Sequence, residues 1–85
     1  MSVLVVVGEG RVTQQEALER VRAVARDNMN AIIANPGDEG VAAEADNYMH
    51  RVTKRALQAG CDIDAVIRAQ QAGYRAAGVP VPAGR

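Results

Sequence analysis

A chain of 85 residues with ten basic and ten acidic side chains has no formal net charge at pH 7, so no overall field draws it to nucleic acid or anionic lipid. Its apolar residues are mainly Ala and Val, with no Trp or Phe, which predicts one small domain with a thin core. One Cys excludes an internal disulfide, so we expect stability to come from a second copy or a partner, in a reducing compartment such as the cytoplasm.

The N-terminus carries a short apolar segment, residues 3–7, which is mostly β-branched and is followed by Gly8 and Gly10. This pattern predicts a strand over residues 1–8, and the run is too short for a signal peptide or a membrane span. No second segment has strand character, so we expect the strand to pair with the same strand of a second copy. The alternative is a segment that covers the helices of its own chain. The expected association surface comprises Val3, Leu4, Val5, Val6 and Val7, with Leu18, Val21 and Met29 from the first helix.

Helix boundaries are marked by local signals. Thr13 and Glu16 form a capping box, which predicts the start of helix 1, and Pro36-Gly37 predicts a type II turn after it. Gly60 can end helix 2, and Asp62 can cap helix 3. On helix 3 we expect Ile63, Val66, Ile67 and Tyr74 to face inward.

The predicted fold is therefore mainly α, with a short N-terminal strand paired between subunits. Helices 1 and 2 form an antiparallel hairpin, and helix 3 folds across its open end. Gly73 inside helix 3 predicts an early end or a close neighbouring backbone. The expected single domain over residues 1–85 comprises helix 1 over 13–34, helix 2 over 39–59, helix 3 over 62–77 and an extended tail over 79–85.

The joint between helices 2 and 3 has an Ala in the first helix, a Gly four residues later and an aliphatic residue six beyond that, at Ala56, Gly60 and Val66. It resembles the helix-turn-helix pattern of DNA-binding repressors, over less than a quarter of the chain. The resemblance implies that helix 3 lies in the major groove while helix 2 crosses the DNA backbone. Of the helix 3 residues that the resemblance places at DNA, Arg68 and Gln71 have base-reading chemistry. Separately, helical spacing puts Arg51, Lys54 and Arg55 on one face of helix 2, where they could bind phosphate or simply form a solvated face.

The sequence gives only weak support for catalysis or metal binding. Cys61 at a helix N-terminus and His50 could form a nucleophilic pair, but no motif supplies an oxyanion hole. Glu44, Asp46 and His50 carry ligand atoms without a second metal-binding motif. We therefore expect no enzyme activity, no metal and no cofactor.

Two functional hypotheses follow from the sequence. The first is a non-enzymatic protein–protein interaction or assembly module that acts as a homo-oligomer, most simply a homodimer, with no membrane association. The alternative is a small helix-turn-helix-like DNA-binding regulator that uses helices 2 and 3. A third arrangement, in which the Pro80-Val81-Pro82 tail docks on another protein, is also open.

Overall fold

The computed structural model describes residues 13–78. The expected strand and its residues 3–7, and the expected tail over 79–85, lie outside that range. The described part consists of three helices, which confirms the mainly helical prediction, and contains no strand. They are α1, Gln14–Ala34; α2, Glu39–Gln58; and α3, Ile63–Ala76.

The first turn of α1 is closed by the predicted capping box. The Glu16 backbone N–H donates to the Thr13 hydroxyl at 3.1 Å, while the Thr13 N–H donates to Glu16 Oε1 at 3.1 Å. The Thr13 N–H and the Thr13 hydroxyl both donate to the Glu16 carboxylate, and together with the charge of Arg20 they hold the pKa of Glu16 below its ordinary value. The start of α1 is thus determined by residues adjacent in sequence.

The turn between α1 and α2 also has the expected chemistry. Gly37 has φ of 79°, the left-handed value that a type II turn requires, and the Asp38 N–H donates to the Asn35 carbonyl at 3.1 Å. Asp38 Oδ1 then accepts a hydrogen bond from the Val41 N–H at 3.1 Å and caps α2. Asp62 occupies the same position before α3 but makes no capping bond through its side chain.

Helix α1 is the shared partner of the other two helices. Both α2 and α3 pack extensively on α1, whereas α2 and α3 contact each other sparsely. Helix α3 therefore lies along α1, rather than across the open end of the hairpin as expected.

Gly73 explains how closely α3 approaches α1. A Cβ atom at this position would lie 2.6 Å from the Ala25 Cβ and 3.0 Å from the Arg26 backbone nitrogen. Only glycine allows the two helix backbones to approach so closely. The sequence offered two explanations for Gly73, and the structure confirms the close neighbouring backbone.

The core of the described part is made of small side chains. No charged or polar side chain is buried in it, and its largest fully buried members are Val21 and Val66. Short side chains remove little apolar area from water, so each contributes modestly to stability. The buried apolar residues are Ala17, Val21, Ala25, Ala45, Val52, Ala56, Cys61 and Val66. Within residues 13–78, no helix has the length and hydropathy needed to traverse a bilayer.

Candidate functional site

Two surfaces of the described part could bind a ligand or partner. The first, which we name the cationic groove, is an open groove of about 670 Å³ between α1 and α2. Val24 and Val52 supply its apolar surface, and Tyr48 lies beside them. Its four positively charged side chains are Arg20, Arg51, Lys54 and Arg55.

Helical spacing places these charges together. Arg51, Lys54 and Arg55 are separated by three and four residues, so they lie on one face of α2, and Arg20 faces them from α1. The two helices are joined there by Asn28, whose side-chain amide donates to the Ala45 carbonyl at 2.8 Å. The groove is therefore built on a fixed helix pair.

Opposite charge is scarce in the groove. Its one lining carboxylate, Asp27, forms an ion pair with Arg26 at 3.2 Å. Within residues 13–78 this is the one ion pair, so none of the four groove cations lies within 4 Å of a carboxylate in that part of the chain, although Arg20 is near enough to Glu16 to lower its pKa. The Arg51 guanidinium instead lies over the Tyr48 ring, 5.6 Å from its centroid.

The second surface, which we name the apolar strip, consists of Leu57 near the end of α2 and of Ile63 and Ile67 on α3. Their exposed fractions are 43%, 54% and 40%. The Gln70 amide of α3 donates to the Thr53 hydroxyl of α2 at 3.2 Å. Leu57 follows Thr53 by one turn and Ile67 precedes Gln70 by about one turn, so helical geometry puts the apolar side chains next to each other.

The apolar strip corrects one expectation. Ile63 and Ile67 were expected to face inward with Val66, but both are exposed while Val66 is completely buried. The reason is that α3 turns the face carrying Val66 and Gly73 towards α1, which leaves the neighbouring face open. Helical periodicity identified the apolar side chains of α3 but not the face that α1 covers.

The association residues predicted on α1 have different environments. Val21 is 0% exposed and belongs to the core, so it offers no surface to a second copy. Leu18 is half-buried beside Ala69, and Met29 is half-buried in a crevice with Tyr74. Leu18 and Met29 thus keep some accessible surface, whereas Val21 serves the fold of its own chain.

The predicted DNA-contacting residues are divided between two places. Arg51, Lys54 and Arg55 line the cationic groove, whereas Arg68 and Gln71 lie on α3 and do not line it. The helix-turn-helix-like joint does form locally, because Ala56 and Val66 are buried around a turn at Gly60. Arg68 is exposed and Gln71 is half-buried on α3.

The Cys–His pair is not assembled. Cys61 is buried, and its thiol donates to the Gln14 carbonyl at 3.6 Å. His50 lies on the exposed surface of α2, roughly 12 Å before the end of that helix at 1.5 Å per residue. Among the residues that the structure describes, no group of three His, Cys, Asp or Glu side chains is placed to hold a metal ion.

Comparisons with protein-family models, curated proteins and solved structures found no match to this chain. The two surfaces therefore have to be interpreted from their own chemistry. Sequence reasoning found the charged face of α2 but missed Arg20 as its partner, because 31 positions separate Arg20 from Arg51. The exposure of the apolar strip had no local signal in the sequence.

Proposed function

We propose that this protein is a non-enzymatic interaction module that assembles with a second copy of itself, most simply as a homodimer in the cytoplasm. The observation that carries the proposal is the exposure of the apolar strip, three large aliphatic side chains at the neighbouring ends of α2 and α3. Contiguous exposed apolar side chains are typical of association surfaces. A reducing compartment suits the single free cysteine.

The thin core supports the same proposal. Completely burying one Leu or Ile side chain stabilises a protein by about 1.5–3 kcal/mol. Because the strip side chains are about half exposed, covering the rest of each one would add roughly half of that free energy. A small domain that buries mainly Ala and Val benefits from such additional burial. In a twofold dimer the strip of one copy would cover the strip of the other.

The apolar residues 3–7 belong to this proposal as a second contributor. Their sequence, Val-Leu-Val-Val-Val, has the β-branched composition of a strand. Pairing between two copies would satisfy its backbone N–H and C=O groups. Leu18 and Met29 would supply accessible apolar surface on α1.

The test is the molar mass of the full chain in sedimentation-equilibrium ultracentrifugation. We expect a dimer at micromolar concentration, and we expect Ile63→Ser/Ile67→Ser to shift the mass to the monomer while the helical circular dichroism is kept. Ile33→Ser is the matched control, because Ile33 is 55% exposed near the end of α1 and outside the strip. The control should remain dimeric.

A monomeric and completely folded wild-type protein at about 100 μM, well above the micromolar range of specific association, would contradict the proposal. Deleting residues 2–7 separates the two contributions. Monomer formation by this deletion alone would assign association to the N-terminal segment, and an unchanged dimer mass would assign it to the strip.

A further inference from the structure

The cationic groove has an electrostatic imbalance that a ligand would relieve. Four positive side chains line one groove, and its single carboxylate is already paired with Arg26. The four cations outnumber the nearby carboxylates, Asp27 in the groove and Glu16 one turn before Arg20, so they repel one another and an anion bound between them would reduce that repulsion. The favoured ligand is therefore negatively charged.

Three of the four cations are arginines, which favours phosphate oxygens. A guanidinium is planar and donates two parallel hydrogen bonds to phosphate or carboxylate. Arg51 is held over the Tyr48 ring, a contact that reduces the number of orientations its guanidinium samples. Arg20 faces this row from the opposite helix, so an anion could be contacted from both walls.

The spacing of the cations distinguishes between anionic ligands. Arg51 and Arg55 are four residues apart on α2, a rise of about 6 Å. An extended acidic peptide places carboxylates on one face about 6.6 Å apart, so it would present roughly two charges over this distance. A chain of linked phosphates carries more negative charge in the same length and matches four cations better.

The groove also has an apolar part. Val24 and Val52 line it, and the Tyr48 ring is 55% exposed beside them. Its volume of about 670 Å³ lies in the range of small-molecule sites, roughly 300–1,000 Å³. A flat nucleobase could contact these apolar groups and the Tyr48 ring while its phosphates meet the arginines.

We propose that the cationic groove binds a nucleoside di- or triphosphate, with phosphates between Arg20 and the Arg51–Arg55 row and the nucleoside against Val24, Val52 and Tyr48. The groove and the apolar strip use separate side chains. The binding test and the self-assembly test can therefore fail separately.

Isothermal titration calorimetry of the full chain with ATP at low salt, without magnesium, tests this proposal. We expect a dissociation constant below about 1 mM. Arg51→Gln/Arg55→Gln should raise it at least about tenfold, because two charge-assisted contacts are lost. The matched control, Arg68→Gln/Arg75→Gln, removes the same charge from α3 outside the groove and should change it less than about twofold.

A second pair of variants tests whether both walls contribute. Arg20→Gln removes the α1 cation of the groove, whereas Arg22→Gln removes a cation from the side of α1 that faces α3. We expect Arg20→Gln to weaken ATP binding and Arg22→Gln to leave it unchanged. Circular dichroism on all variants establishes that they remain folded.

Four outcomes would overturn the proposal. They are no heat of binding up to millimolar ATP, equal loss in the groove variants and their controls, inorganic tripolyphosphate binding as tightly as ATP, and tighter binding of a short DNA duplex through the same residues. The third would remove the nucleoside from the assignment, and the fourth would replace the nucleotide by nucleic acid.

Discussion

At the scale of single residues, Thr13 and Glu16 are joined by reciprocal hydrogen bonds of 3.1 Å at the start of α1. A capping Thr contributes about 1 kcal/mol, so Thr13→Ala should lower the free energy of unfolding by about that amount in urea titrations. Asp62→Ala is the control, since Asp62 makes no capping bond through its side chain. An equal loss in both variants would contradict this account of the α1 cap.

The same cap predicts a pH dependence. The bonds from Thr13 lower the pKa of Glu16 in the folded protein. The ionised carboxylate therefore stabilises the folded state fully at pH values above its ordinary pKa of 4.5. That contribution is lost as the pH falls below 4.5 and through the folded pKa. We expect the thermal-unfolding midpoint of Glu16→Gln to fall less than that of the wild type when the pH is lowered from 7 to below the folded pKa. Identical acid sensitivity would contradict the prediction.

Gly73 provides a second test at this scale. Gly73→Ala should destabilise the protein by about 1–3 kcal/mol, because its methyl group would overlap α1 at Ala25 and Arg26. Gly40→Ala is the control within a helix, where the new methyl would contact only the Asp38 carboxylate at 3.3 Å. The control should change the free energy of unfolding by less than about 1 kcal/mol. Equal urea midpoints for the two variants would remove the close α1–α3 contact as the explanation.

At the scale of elements, the helices could be predicted because their boundary signals are local. The capping box at Thr13 and the Pro36-Gly37 turn act over three or four residues, so the chain specifies them without tertiary contacts. The placement of α3 could not be derived in this way. Its apolar residues define a broad face, and the approach permitted by Gly73 determines which part of it meets α1.

The turn between α2 and α3 is attached to the start of α1. Gln14 donates through its side-chain amide to the Ala59 carbonyl at 3.2 Å, and its own carbonyl accepts from the Cys61 thiol at 3.6 Å. A Cβ atom at Gly60 would lie 2.8 Å from Gln14 Nε2. The turn is therefore held by a residue far away in the sequence.

Because of this attachment, substitutions of Gly60 and Gly37 should have different effects on the free energy of unfolding. Both have positive φ, so replacing either by Ala costs about 1–2 kcal/mol of backbone strain. Gly60→Ala should cost more than Gly37→Ala in urea unfolding, because a Cβ at Gly37 meets nothing within 4 Å. In a Gln14→Ala background the two glycine substitutions should cost the same, because the amide that a Cβ at Gly60 would overlap is absent. Equal losses in the two single variants would contradict the packing of this turn.

At the scale of the whole molecule, the candidate surfaces depend on which helices pack against each other. The row of Arg51, Lys54 and Arg55 was predictable from its spacing, but its association with Arg20 required the α1–α2 packing. The exposure of Ile63 and Ile67 likewise required the sparse contact between α2 and α3. Sequence patterns supplied the side chains of both surfaces, and tertiary packing decided how they are grouped.

Self-assembly predicts that thermal stability depends on concentration. A hundredfold increase in protein favours the folded dimer by about 2.7 kcal/mol, which should raise the midpoint of unfolding by several degrees. Ile63→Ser/Ile67→Ser should have a lower midpoint that no longer changes with concentration. Circular dichroism melts over this range provide the measurement. A wild-type midpoint independent of concentration would contradict the dimer.

Helix α1 packs against both other helices and is synthesised before them. Its apolar faces therefore stay exposed until α2 and α3 have been synthesised. Growth from Ala34 to the end of α3 at Ala76 takes about 2–8 s at roughly 5–20 residues per second. During that interval the half of α1 that receives α3 has no cover from its final partner. The nascent chain should therefore remain prone to chaperone binding after α2 has emerged, until Gly73 reaches Ala25.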